Sequence, residues 1–207
     1  MENIVLKDVN WQAELEGIPP TAGDVKAPEE FGDAAWDYMT GMSEKRGVTT
    51  PWQHFDFRFQ PATFNIFMGQ SGSGKSQITQ QIALHAVRDQ AATVPQKVLI
   101  WSAEMPTPAV VSTFGKLACG VEKPTREYFD KAIEWMGDRI WVYQRNHKVT
   151  MDELIGISLF AQRELGVTMV IVDSLVKIHS GANAANFLMV QTDMADRFAV
   201  TARDTGL

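Results

Sequence analysis

Gly69-Gln70-Ser71-Gly72-Ser73-Gly74-Lys75-Ser76 is the stretch on which the fold of this chain turns. It has the form G-x-x-x-x-G-K-[ST]. In that pattern glycines let successive backbone N–H groups curl around a phosphate, a lysine reaches the outer phosphates and a hydroxyl ligates Mg²⁺. Ahead of it the apolar run Phe64-Asn65-Ile66-Phe67-Met68 predicts a buried strand. Behind it Ile78, Ile82, Ala83, Ala86 and Val87 recur at helical spacing, predicting an amphipathic helix from Gln77 to Ala91. A glycine turn between a strand and a helix start also brings the helix dipole and its unpaired N–H groups to the same anion. A glycine-serine linker shares the composition but has no reason to sit between a strand and a helix.

Outward toward the C-terminus, Lys97 to Ser102 reads as a second strand that ends at Ala103-Glu104-Met105. Pro106 and Pro108 suit the first turn of a helix running to about Cys119. Thr125 caps another through Met136, and Arg139 to Tyr143 is a third strand. Thr150 with Glu153 has the form of a capping box for a helix through Leu165. Thr168 to Val172 is a fourth strand, apolar enough for burial on both faces of a parallel sheet, and a last helix covers about 184–203. Strands alternating with helices give an α/β fold with a mainly parallel sheet flanked by helices.

Two carboxylates fall where a phosphate site needs them. Asp173 closes the apolar run Val170-Ile171-Val172, the place from which a carboxylate holds Mg²⁺ beside a phosphate loop. Glu104 ends the second strand, at the same carboxyl edge of the sheet, within range to orient or deprotonate an attacking water. The expected ligands are therefore ATP and Mg²⁺.

Outward toward the N-terminus the chain changes character. Residues 1–46 hold ten acidic and four basic side chains, a net −6 equal to that of the whole chain. This acidic arm contains the turn-rich Gly17 to Gly23 and a predicted amphipathic helix over about 29–43, with Phe31, Ala35, Tyr38, Met39 and Met42 on one side and Lys45-Arg46-Gly47 at its close. That side packs either on its own domain or on a neighbouring subunit. Residues 47–207 carry no net charge and lack the strongly basic footprint of a lone nucleic-acid binder. Any contact with DNA must be shared among subunits. Phe55, Phe57 and Phe59 alternate along an extended segment that leads to Pro61. A single cysteine, Cys119, allows no internal disulfide, and no apolar run is long enough for a bilayer, so the expected setting is cytoplasmic.

The phosphate loop, the strand running into Ser102-Ala103-Glu104-Met105, and Val170-Ile171-Val172-Asp173-Ser174-Leu175 together resemble the RecA-like ATPases in order and spacing. Within them the chain looks most like the DnaB-type replicative helicases and phage primase-helicases of superfamily 4, and Gly47-Val48-Thr49-Thr50-Pro51-Trp52 is similar to the segment before their phosphate loop. The resemblance covers about residues 47–207, a RecA-like core behind the arm of 1–46. It implies that Lys75 contacts the β- and γ-phosphates, that Ser76 and Asp173 hold Mg²⁺, and that Glu104 is the catalytic carboxylate. It further implies an ATP-driven helicase on single-stranded DNA, a homo-hexameric ring with the 29–43 helix docked on the adjacent subunit, and other replication proteins as partners. A RecA- or KaiC-like ATPase with a strand-exchange, regulatory or loading role, or a nucleotide-binding module with negligible turnover, are the alternatives. The loop Lys177-Ile178-His179-Ser180-Gly181-Ala182-Asn183 lies where such proteins line a DNA channel, though a plain surface connection suits it equally.

Leu207 falls where the resemblance implies one more strand, set between the phosphate-loop strand and the Asp173 strand. The core is therefore expected to be incomplete at its C-terminus, with a slot of about two inter-strand spacings, ~9.6 Å, between residues 64–68 and 168–172. No sensor residue or arginine finger can be assigned. Such a slot leaves interior backbone unpaired, so the 207 residues alone are expected to be marginally stable and inactive as an ATPase.

Overall fold

The computed structural model describes residues 27–40, 47–55, 57–88, 95–144, 149–175, 178 and 187–207. A 3-10 turn, Pro28–Phe31, leads into α1 (Gly32–Met39). β1 (Val48–Thr49) and β2 (Arg58–Phe59) pair antiparallel in a small hairpin ahead of α2 (Lys75–Arg88). Then come β3 (Val98–Ser102), α3 (Thr107–Cys119), α4 (Arg126–Met136), β4 (Ile140–Val142), α5 (Met151–Phe160), β5 (Met169–Asp173) and α6 (Phe187–Thr205).

β3, β4 and β5 form a parallel sheet in the order β4-β3-β5. β3 sits in the middle and is buried on both pleat faces: Val98, Leu99, Ile100 and Trp101 are all buried. Val98 and Ile100 face the layer of α2, α3 and α4, where they meet Ala83, Leu84, Val110, Phe114 and Met136. Leu99 and Trp101 face the layer of α5 and α6, among Leu154, Ile157, Met194 and Phe198. The register sets Val98 opposite Met169 and, four residues on, Ser102 opposite Asp173. Both strands thus end level at the carboxyl edge.

The helix starts follow the residues that cap them. The Thr125 hydroxyl accepts the Tyr128 N–H at 3.3 Å and the Thr150 hydroxyl accepts the Glu153 N–H at 3.2 Å. The Glu153 carboxylate, itself buried, accepts from the Tyr143 hydroxyl. The helix that Thr150 opens runs through Leu165 as expected, its last turn, Ala161–Leu165, being a π-helix.

Two expectations are corrected. Phe64 to Met68 is no buried strand: it joins no ladder, and Ile66, Phe67 and Met68 are exposed. β5 is not buried on both faces; it is an edge, with Met169 to Val172 only half-buried. Between that edge and residues 64–68 lies a cavity of about 1640 Å³, also lined by Phe198, Gly206 and Leu207. The physical reason is shared: an apolar strand is buried by neighbours on both sides, and here neither segment has one between them. Of the side expected to be apolar on α1, Phe31, Tyr38 and Met39 are exposed among the described residues, Tyr38 at 80%, as is Trp36; residues 41–43, which were to complete the helix, lie outside the described residues.

Candidate active site

The phosphate loop takes its shape from its glycines. Gly72 and Gly74 have φ of +78° and +87°, backbone that side-chain-bearing residues rarely adopt. No atom lies within 4 Å of where a Cβ would stand on either. The loop therefore offers open, bare backbone beside the start of α2. Ser73 N–H donates to Gln70 O at 3.2 Å, closing the turn, and Ile78 N–H donates to Gly74 O at 2.9 Å, starting the helix. α2 begins at Lys75, two residues ahead of the Gln77 expected from periodicity.

Lys75 lies folded over its own loop. Its Nζ donates to Gly69 O at 2.9 Å and Gln70 O at 2.8 Å. An ammonium held by two carbonyls can exchange those neutral acceptors for phosphate oxygens, which bind it more strongly.

The carboxyl edge supplies the other groups. Asp173 is buried to 8% exposure, and its Oδ2 accepts from the Ser102 hydroxyl at 3.2 Å. Glu104 is exposed, its Oε1 accepting from the Ser174 hydroxyl at 3.1 Å. Ala103 N–H donates to Asp173 O at 2.7 Å, extending the β3–β5 ladder one step past the strands. Gly69, Ser71, Gly72, Gly74, Lys75 and Ser76 line the same cavity as Glu104 and Asp173. Gln70 and Ser73, the remaining loop positions, serve the turn itself. The donor set fits the expected ligands: bare amides and an ammonium for phosphate, and the hard oxygens of Ser76 and Asp173 for a cation that binds through few protein ligands plus substrate phosphates.

A model of the AAA domain family matches residues 58–207. The chain belongs to the AAA domain family. Its core is accordingly a P-loop ATPase domain of mixed α/β build. Comparison with curated proteins gave no match. Among the described residues no helix is long and apolar enough to cross a membrane.

Sequence reasoning passed over three members of this region. Ser102 and Ser174 stand inside quoted motifs, yet a role for them needs the β3–β5 register, which no local string contains. Gln80 is the third. It is fully buried on α2, lines the cavity, and neither its Nε2 nor its Oε1 has a hydrogen-bond partner among the described residues. The loop from Lys177 to Asn183, proposed to face DNA, lies outside the described residues except for Ile178, which is buried.

Proposed function

We propose that this AAA-family domain is the ATP-hydrolysing motor of a DnaB-type replicative helicase, working as a ring on single-stranded DNA. The observation that carries the ATPase part is the meeting of Lys75, Ser76, Glu104 and Asp173 on one cavity at the carboxyl edge of a parallel sheet. The loop amides and Lys75 bind the β- and γ-phosphates of ATP, Lys75 giving up its bonds to Gly69 O and Gln70 O. Ser76 and Asp173 hold Mg²⁺, which when bound neutralises charge on the transferring phosphate. Glu104 leaves the Ser174 hydroxyl, orients a water in line with the γ-phosphate and takes its proton. The ring part is supported by α1, whose exposed aromatic side suits burial on an adjacent copy.

The test separates the steps. Lys75→Ala should weaken ATP binding at least tenfold, because the one ammonium in the cradle is lost. Glu104→Gln keeps the shape and loses the base, so ATP still binds while turnover drops at least a hundredfold. ATP affinity indifferent to Lys75→Ala would sink the ATPase reading. Unwinding of a forked DNA, with turnover stimulated by single strands and measured in the assembled protein, decides the helicase part. Stimulated turnover without unwinding would move the protein to the strand-exchange or loading class.

A further inference from the structure

We infer that Ser102 is a positioning residue for the metal carboxylate and ties it to the loop that carries Glu104. This deepens the ATPase reading and rests on it. Three observations converge. Ser102 stands directly opposite Asp173 in the β3–β5 register. Its hydroxyl donates to Asp173 Oδ2 at 3.2 Å and accepts the Met105 N–H at 3.1 Å. A reciprocal bond runs the other way just past the ends of the same two strands, from the Ser174 hydroxyl to Glu104 Oε1 at 3.1 Å.

The arithmetic of lone pairs gives the bridge its sense. A serine hydroxyl has one proton; accepting the fixed Met105 amide leaves that proton to point at Asp173. Oδ2 is thereby engaged and Asp173 turned so that its other oxygen is left for the metal or a metal-bound water. Asp173 is 8% exposed, so little solvent competes for the bond. The second contact acts on the neighbouring residue: Met105 follows Glu104, so the amide bond to Ser102 fixes the backbone on which the water-orienting carboxylate is mounted. One side chain thus sets the spacing between the group that holds the cation and the group that serves the water. Partners of this kind around a metal ligand commonly change metal affinity 10- to 100-fold when removed.

The experiment measures binding, so it does not require turnover. ATP affinity is titrated with a fluorescent ATP analogue in EDTA and across a Mg²⁺ series, for the wild-type chain, Ser102→Ala and Ser102→Thr, together with thermal midpoints in EDTA. Ser102→Ala should leave affinity in EDTA within about twofold and lower the apparent Mg²⁺ affinity about tenfold. Ser102→Thr, which keeps the hydroxyl, should recover most of it. Equal Mg²⁺ affinities for wild type and Ser102→Ala, with Lys75-dependent ATP binding intact, overturn the inference and leave the ATPase reading standing. An equal loss in EDTA and Mg²⁺, or failure of the threonine to rescue, assigns Ser102 to strand packing and overturns it too. Absence of Lys75-dependent binding in the wild type instead removes the reading beneath it.

Discussion

At the scale of single residues, Gln80 is where the molecule is least content. A fully buried amide whose donor and acceptor meet no partner among the described residues gives up hydration at a cost of about 1–3 kcal/mol. Methionine has nearly the same length and no hydrogen bonds to lose. Gln80→Met should therefore raise stability by about 1–2 kcal/mol, read as a higher thermal or denaturant midpoint. A lower midpoint would show that the amide is engaged in solution. Most of the candidate site residues were legible at this scale because their signal is a string: the glycine pattern picks out Gly69 to Ser76 without any fold. Asp173 and Glu104 needed one step more, the strand-end rule. Ser102, Ser174 and Gln80 were illegible because each owes its situation to a partner, or the lack of one, about seventy residues away or in another layer.

Among the elements, those with their own start signals were readable to within a residue or two. Thr125 and Thr150 announce α4 and α5, and the proline pair announces α3. What the pattern could not supply was neighbourhood. Phe64 to Met68 has strand composition, but composition does not create a ladder partner, and the segment stays unpaired. α1 likewise has an amphipathic pattern whose aromatic members stay exposed among the described residues. Replacing Phe31 and Trp36 together by alanine should leave monomer stability within about 0.5 kcal/mol, as for other exposed sites. The same change should shift the mass measured by light scattering toward monomer if α1 docks on another copy. The contact between α3 and α4 makes a sharper demand. A Cβ on Gly115 would stand 2.2 Å from Phe129 Cε2 and 2.8 Å from Cδ2. Alanine gains about 1 kcal/mol of helix propensity over glycine, while overpacking costs about 1–3 kcal/mol. Gly115→Ala should thus lose stability on balance, and a higher denaturant midpoint would contradict the tight crossing.

For the whole molecule, the described sheet has one strand paired on both sides and two edges. β3 is laddered to β4 and β5, and β5 turns its unpaired edge to the cavity. A bare strand edge flanked by exposed Ile66, Phe67 and Met68 invites pairing with other chains. Loss of soluble protein should accordingly rise with concentration, and a lysine placed on the edge, as in Val170→Lys, should slow it. If that substitution leaves the concentration dependence unchanged, the association runs through another surface such as α1.

The unladdered lead-in to the phosphate loop has one more consequence. The loop is mounted like a gate with a single hinge: its far end continues into α2, which is packed on the sheet, while its near end hangs from residues 64–68. Deuterium should enter the two posts at different speeds. Amides of β3, locked in ladders on both sides, should exchange slowest in the chain, and those of 64–68 within seconds. Seating ATP would latch the gate, and the exchange of 64–76 should slow while that of β3 hardly changes. Part of the nucleotide's binding energy is then consumed in ordering the loop, so a protein whose lead-in is stiffened should hold ATP more tightly with no new contact to it.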